Sequence, residues 1–307
     1  MLPIVKDLLE GERRSLSRAI SIVDNAEPDS KIILRQIYNK TGNIKTVGFT
    51  GPGGAGKSSL IGKLIPELQA MGYKIAILAV DPSSHITGGA ILGDRIRMQT
   101  VMENENVFMR SLASRGASGG VSNSLRNVIR VVDAAGYDLV LVESVGAGQL
   151  EVEISKVVDM TVVVFTPNTG DNIQAIKAGL TEIGDIYIIN KGDLEGATSL
   201  YNTILDLIGN TDKKPIVVKA SAKTGKGISG LARIIDRLLK SNRMHHKEKE
   251  KKMIESELRD MVLNMLEEKV LDMLSSNQKY YDILDKLISR KIDPYYAAEQ
   301  LAHEILR

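Results

Sequence analysis

The chain has 307 residues, of which 43% are hydrophobic and 25% are charged, as is usual for a globular protein. Its 40 lysines and arginines nearly balance 38 aspartates and glutamates, and a net charge of +2 argues against a general nucleic-acid-binding protein. The absence of cysteine excludes disulfides, thiol catalysis and cysteine-ligated metals. We find no secretory signal and no apolar run long enough to cross a membrane, so we expect a cytoplasmic protein.

The pattern of apolar residues divides the chain into three zones. Residues 1–43 are predicted to form an N-terminal helical extension, with one helix before Pro28 and a second that ends at Gly42. Residues 44–240 are predicted to form an α/β domain, in which short β-branched runs alternate with helices. Residues 241–307 begin with a charged linker and continue as amphipathic helices.

The middle zone contains the expected strands of a parallel sheet. Continuous apolar runs that are joined by helices predict a mostly parallel sheet with helices on both faces. In such folds ligands bind beyond the carboxyl ends of the strands, and the motifs described below all fall there. Six runs are predicted strands and residues 107–110 are a further candidate: 44–50, 75–81, 138–143, 161–166, 185–190 and 216–220.

A phosphate-binding motif follows the first predicted strand. Residues 51–58 read GPGGAGKS, which matches G-x-x-x-x-G-K-[ST], and an apolar helix comes next. We expect backbone N–H groups to converge on phosphate oxygens, Lys57 to bridge the β- and γ-phosphates, and Ser58 to bind magnesium. A glycine-rich turn with an incidental lysine is the alternative, which the strand–loop–helix context disfavours. The predicted contacts are Thr50, Gly51, Pro52, Gly53, Gly54, Ala55, Gly56, Lys57, Ser58 and Ser59.

A second motif predicts that the base is guanine. Residues 190–193 read NKGD at the end of the fifth main run, and this N-K-x-D pattern is typical of GTPases. A carboxylate at Asp193 can accept the two hydrogen bonds that guanine donates from N1–H and the 2-amino group, whereas adenine offers no such pair. Lys191 should lie along the base, and Asn190 should tie this loop to the phosphate loop. The next run leads into a second predicted base-contacting loop, Ser221, Ala222 and Lys223.

Acidic residues at two strand ends indicate a metal site. Asp81 and Glu143 each end a predicted strand beside the phosphate loop, where an acidic residue holds Mg²⁺, usually through water. Simple capping of the strand ends is the alternative interpretation. The backbone N–H of Gly146 is expected to sense the γ-phosphate. Lys177, in a polar segment after the fourth main strand, is either a charge near the nucleotide or an ordinary solvated lysine.

Several longer stretches, taken in order, resemble the MeaB/ArgK family of GTPases, a branch of the SIMIBI class of P-loop proteins, over about residues 8–307. The resemblance implies a homodimer, joined by the C-terminal arm, that acts as a chaperone of an adenosylcobalamin-dependent acyl-CoA mutase, most often methylmalonyl-CoA mutase. It implies that GTP binding and hydrolysis gate cofactor loading and protect the mutase. The stretches are GPGGAGKSSL, VDPSSHITGGAILGDRIRM, FMRSLASRGASGG, VESVGAGQLEVEI, TGDNIQAIKAGLTEIGDIYIINKGDL and DPYYAAEQL.

The same resemblance assigns roles near the γ-phosphate. It implies that Asp94 lies with Asp81 and Glu143 around the metal, and that Lys177 belongs to a third switch, which moves toward the nucleotide when the mutase binds. We therefore expect hydrolysis to depend on Lys57, Asp94, Glu143 and Lys177.

Three functions and two arrangements of the arm remain open. Besides a mutase chaperone with slow, partner-stimulated turnover, the chain could be a metal-insertion GTPase of the same class or a P-loop small-molecule kinase. The absence of cysteine disfavours the second, and the guanine motif disfavours the third. The apolar stripe 254–274 could pack on the chain's own α/β domain or form a dimer.

Overall fold

The computed structural model describes residues 1–81, 106–113, 120–144, 150–167, 176, 179–209, 215–241 and 243–305. The chain divides into two compact units, Met1–Glu250 and Lys251–Arg307.

A sheet of seven parallel strands lies at the centre of the first unit, with strand order β3-β2-β4-β1-β5-β6-β7. The predicted parallel sheet is confirmed, and the segment that begins at Val107 is a full strand. Alternate residues of β2 and β4 enter different apolar cores, which explains why these strands are apolar throughout. The strands are β1 (Lys45–Thr50), β2 (Ile75–Asp81), β3 (Val107–Ala113), β4 (Leu139–Ser144), β5 (Met160–Phe165), β6 (Ile186–Ile189) and β7 (Ile216–Lys219).

Helices cover both faces of this sheet. Those of the first unit are α1 (Pro3–Leu9), α2 (Arg13–Asp24), α3 (Ser30–Ile37), α4 (Lys57–Ala70), α5 (Gly120–Ala134), α6 (Leu150–Ser155), α7 (Leu180–Ile183), α8 (Ala197–Ile208) and α9 (Ile228–Ser241), with a 3₁₀ turn at Tyr38–Lys40. The core on one face packs α4 and α9 against the strands. On the other face, α1–α3, α5 and α6 form one core, and α7 and α8 form a smaller one.

The N-terminal extension contains one more break than the sequence predicted. Gly11 has φ of 86°, a left-handed conformation, and it separates α1 from α2 where one helix was expected. Both helices nevertheless bury apolar residues, including Val5, Leu8 and Leu16, in the same core as α5. The extension is therefore an integral part of the first unit.

Polar contacts between distant residues hold this extension in place. The Arg13 guanidinium donates to the carbonyl oxygen of Val107 at 2.6 Å, and the Ser124 hydroxyl donates to the Asp24 carboxylate at 2.7 Å. Asp133 of α5 accepts the backbone N–H of Gly42 and that of the next residue, just before β1. Since three of these four hydrogen bonds involve α5, this helix is fixed against the extension.

Three helices complete the described chain: α10 (Arg243–Ser276), α11 (Gln278–Ile288) and α12 (Pro294–Ile305). The predicted charged linker is helical, because α10 runs through the charged stretch, and the two compact units divide within it. Lysine and glutamate are good helix formers, and the pair Lys251–Glu255, 3.7 Å apart, has the helical i, i+4 spacing. Within the described ranges, no helix combines the length and the hydropathy that a membrane crossing needs.

Candidate nucleotide-binding site

Two glycines fix the path of the loop between β1 and α4. Gly51 has φ of 138° and Gly56 has φ of 85°, conformations that other residues rarely adopt. A Cβ atom on Gly51 would lie 2.1 Å from the carbonyl oxygen of Val164, and one on Gly56 would lie 2.6 Å from the Asn190 amide nitrogen. Both positions therefore require glycine, and the resulting close approach of the backbone suits a phosphate-binding loop.

Lys57 is the first residue of α4 and points back into this loop. Its side chain is buried, and its ammonium group donates to the carbonyl oxygens of Gly51 at 2.6 Å and Pro52 at 3.1 Å. The N-terminus of α4 adds backbone amides and the positive end of the helix dipole at the same place. The loop thus combines a fixed cation with a helix N-terminus, as binding of phosphate groups requires.

Asn190 joins the three loops that the sequence predicted would surround the nucleotide. Its amide nitrogen donates to the carbonyl oxygen of Ala55 at 2.8 Å, and its amide oxygen accepts the backbone N–H of Ala222 at 3.2 Å. The side chain is buried, so these hydrogen bonds are protected from water. One residue thereby sets the distance between the phosphate loop and both base-contacting loops.

The NKGD segment presents a cation and a carboxylate at the loop surface. Lys191 has φ of 52°, and its ammonium group donates to the carbonyl oxygen of Gly54 at 3.0 Å. A hydrogen bond from the Ser221 hydroxyl lowers the pKa of Asp193. The backbone N–H of Asp193 and the charge of Lys223 lower this pKa further. Asp193 is therefore ionised at neutral pH and can accept two hydrogen bonds.

A cavity of about 720 Å³ lies between these loops and α4. This volume is typical of sites for small molecules and cofactors. Its walls unite most of the predicted phosphate and base residues that follow Ala55, which were far apart in sequence. The lining residues are Gly56, Ser58, Ser59, Gly62, Lys63, Asn190, Lys191, Asp193, Leu194, Ala222 and Lys223.

Three of these lining residues were missed by the sequence analysis: Gly62, Lys63 and Leu194. Gly62 lies inside α4, and a Cβ atom there would have no other atom within 4 Å. Its helix therefore does not need glycine for packing, and a glycine inside an apolar helix was the available signal. Lys63 and Leu194 gave no comparable signal, because exposed lysines and leucines are common.

Three of the predicted metal residues are described: Ser58 in the first turn of α4, and Asp81 and Glu143 near the ends of β2 and β4. The Ser58 hydroxyl donates to Oε1 of Glu143 at 2.6 Å, and Glu143 is only 2% exposed. Ala79 pairs with Glu143, and Asp81 follows two residues later, so both carboxylates lie on the same face of the sheet. Hydroxyl and carboxylate oxygens are the ligand type that Mg²⁺ prefers, so these residues fit the ion.

Other predicted residues have simpler positions. Thr50 is buried and accepts a hydrogen bond from the Ser144 hydroxyl at 3.3 Å, which ties the ends of β1 and β4 together. Asp94, Gly146 and Lys177 lie outside the described residues, so their roles stay predictions.

Comparison with known proteins identifies the family. Residues 16–279 match the family model described as methylmalonyl Co-A mutase-associated GTPase MeaB. The chain belongs to the MeaB family of GTPases. A Pyrococcus abyssi protein assigned as a GTPase is 42% identical over 316 residues, which cover 99% of this chain and 96% of that protein. The mitochondrial methylmalonic aciduria type A homolog of Caenorhabditis briggsae is 36% identical over 214 residues, or 64% of this chain and 52% of that protein.

The same architecture occurs in a solved structure. The crystal structure of an LAO/AO transport system kinase matches 99% of this chain and 97% of its own, with a TM-score of 0.69 and 28% identity. The protein is thus a P-loop GTPase of the MeaB family that binds guanine nucleotide and hydrolyses GTP.

Proposed function

We propose that this MeaB-family GTPase is a chaperone that gates adenosylcobalamin loading and protects a cobalamin-dependent acyl-CoA mutase, with methylmalonyl-CoA mutase as the first candidate. The match of residues 16–279 to a family described as mutase-associated carries this proposal. The likeness to the Caenorhabditis briggsae homolog named for methylmalonic aciduria supports it.

The phosphate loop and the two base-contacting loops are each proposed to contact one part of the nucleotide. The loop from Thr50 to Ser59 would surround the phosphates, with the Lys57 ammonium group leaving its carbonyl partners to bridge the β- and γ-phosphates. Asp193 would read guanine, and the backbone N–H groups near Ala222 would reach the guanine carbonyl. Gly56, Ser58, Asp193 and Ala222 line the cavity, which supports these contacts.

Magnesium would be held by the Ser58 hydroxyl and by the Glu143 and Asp81 carboxylates, the latter two directly or through water. When bound, the ion would neutralise charge that develops on the β- and γ-phosphate oxygens. In the described part of the chain, no group of three or more His, Cys, Asp or Glu side chains is placed so that it could hold a metal ion by itself. The phosphates and water would therefore complete the coordination, which is how Mg²⁺ commonly binds.

The mutase proposal is tested by combining the full chain with methylmalonyl-CoA mutase. We expect the mutase to raise GTP turnover by about tenfold or more, because partner proteins complete the active sites of many GTPases. We also expect adenosylcobalamin loading of the apo-mutase, followed by its absorbance, to differ between GTP and GDP. The proposal fails if the mutase changes neither turnover nor loading.

The same mixture distinguishes a small-molecule kinase, an alternative that the name of the matched crystal structure raises. A hydrolase releases one inorganic phosphate for each GDP. A kinase would leave a phosphate deficit and a phosphorylated acceptor. Equal release of GDP and phosphate therefore supports the GTPase chaperone.

The homodimer is proposed from the exposed apolar side chains of α10. Leu258 is 62% exposed and Met265 is 67% exposed, and Ile254, Met261 and Leu266 on the same helix are also exposed. A run of exposed apolar residues on a long helix is typical of a surface that another chain covers. Together with the family resemblance, this exposure favours a dimer arm.

A double substitution tests the arm. Changing Leu258 and Met265 to aspartate should convert a dimer of the wild-type chain to a monomer, because two charges would be buried in the interface. Mass from light scattering or sedimentation measures the change. Leu205→Asp on α8, where the leucine is also exposed, is the matched control and should remain dimeric. A wild-type monomer, or a dimer that survives the double substitution, would refute the proposed arm.

A further inference from the structure

A polar cluster lies at the contact between α5 and α6, on the opposite side of the sheet from α4. Ser122 and Arg126 are four residues apart and so share one face of α5. The Ser122 hydroxyl donates to Oε2 of Glu153 on α6, and Lys156 of the chain just after α6 donates to Oε1 of the same carboxylate at 2.8 Å. Glu153 therefore receives hydrogen bonds from both sides of this contact.

Charge stabilises this carboxylate. Burial raises the pKa of Glu153, but hydrogen bonds from Lys156 and Ser122 and the charges of Lys156 and Arg126 outweigh burial and lower the pKa overall. Glu153 is therefore ionised at neutral pH, and Arg126 is close enough to contribute to its charge balance. The cluster joins α6 to α5 by an electrostatic contact as well as by apolar packing.

Arg126 is the unusual member of the cluster. Its side chain is only 9% exposed, and its Nη1 donates to the Asn123 side chain at 3.3 Å. The buried Nε–H has no hydrogen-bond acceptor among the residues that the structure describes. A buried donor on a charged group is costly to leave without an acceptor, so a different arrangement of α6 that supplied one would be favoured.

The position of α6 connects this cluster to the hydrolysis site. β4 carries Glu143 and ends at Ser144, and α6 begins only six residues later at Leu150. α5 is held by hydrogen bonds to the N-terminal extension. α6 has only six residues, so it depends more on its contacts with α5 for its position. α6 is thus the first described helix after the strand that carries Glu143, so its position against α5 bears on the hydrolysis site through the order of the chain.

We propose that Arg126 is a positioning residue for GTP hydrolysis: it holds α6 against α5, and its Nε donates to Glu153 in the arrangement that hydrolyses GTP. Arg126 does not touch the nucleotide in this mechanism. It acts through α6, so its effect belongs to the hydrolytic step and not to binding. The inference concerns turnover of the chain alone and does not depend on the mutase.

The test compares Arg126→Met with Arg130→Met in GTP turnover without any partner protein. Arg130 is a matched control, because it lies one turn further along α5 and donates to Asn127 at 3.0 Å, as Arg126 does to Asn123. We expect Arg126→Met to lower kcat about tenfold or more and to change KM for GTP less than threefold. Arg130→Met should keep kcat within twofold of wild type.

Glu153→Gln is an independent test that changes the shape of the side chain little. It should lower kcat in the same way, and the double variant with Arg126→Met should be no slower than the slower single variant, because the two residues act through one contact. A folded Arg126→Met protein with wild-type kcat would overturn the proposal. Parallel losses of kcat, GDP affinity and melting temperature would show a purely structural role and would overturn it equally.

Discussion

Asp193→Asn is expected to weaken GTP binding by about 100-fold or more. The proposed contact consists of two hydrogen bonds from guanine to an ionised carboxylate, each worth about 1.5–3 kcal/mol. Asparagine keeps one acceptor but turns an amide donor toward the 2-amino group of guanine, so one hydrogen bond is replaced by a repulsive contact. Xanthine has a carbonyl oxygen at that position, and the variant should therefore prefer xanthosine triphosphate to GTP.

Titration calorimetry with GDP, GTP and xanthosine nucleotides checks this reversal. Glu195→Gln is the control, because Glu195 is an exposed acid two residues away that does not line the cavity. It should bind GTP like the wild-type chain. Unchanged nucleotide order in Asp193→Asn would mean that this carboxylate does not read the base.

The sheet and the nucleotide loops could be predicted because their signals are local. β-branched runs followed by helices predict the strands. In GPGGAGKS, Gly51 and Gly56 adopt positive φ, so the motif itself indicates the conformation of the loop. The link between the loops was also predictable, since Asn190 ends a strand whose neighbours in a parallel sheet end at the same edge.

Other features depend on contacts between distant residues, which one sequence does not reveal. Nothing local indicates that Arg13 pairs with the carbonyl of Val107, 94 residues away, so the extension could not be placed on the sheet. Lys63 lines the same cavity as Lys223, although the two residues are far apart in sequence. The beginning of α10 at Arg243 could not be predicted, because the charged stretch near Lys251 lacks the apolar spacing that marks the rest of this helix.

Glu143→Gln is expected to lower GTP hydrolysis about 100-fold and to raise the magnesium concentration needed for half-maximal turnover. The amide has almost the same size, and its carbonyl oxygen can still accept the Ser58 hydroxyl, so the fold and the loop contact are retained. What is lost is one negative charge at the proposed metal site, and losing a single pre-arranged electrostatic group commonly costs about 10²–10³ in kcat. GDP binding measured without magnesium should be unchanged.

Steady-state turnover across a magnesium titration separates this role from simple capping of the strand. Glu67→Gln is a matched control, since Glu67 also accepts a serine hydroxyl, from Ser229 at 2.7 Å, on the exposed surface of α4. Its magnesium dependence should equal that of the wild-type chain. If Glu143→Gln also kept that dependence, Glu143 would only cap β4, and the metal would have to depend on Asp81. Because Asp81 ends the adjacent strand on the same face of the sheet, Asp81→Asn would then show the missing effect.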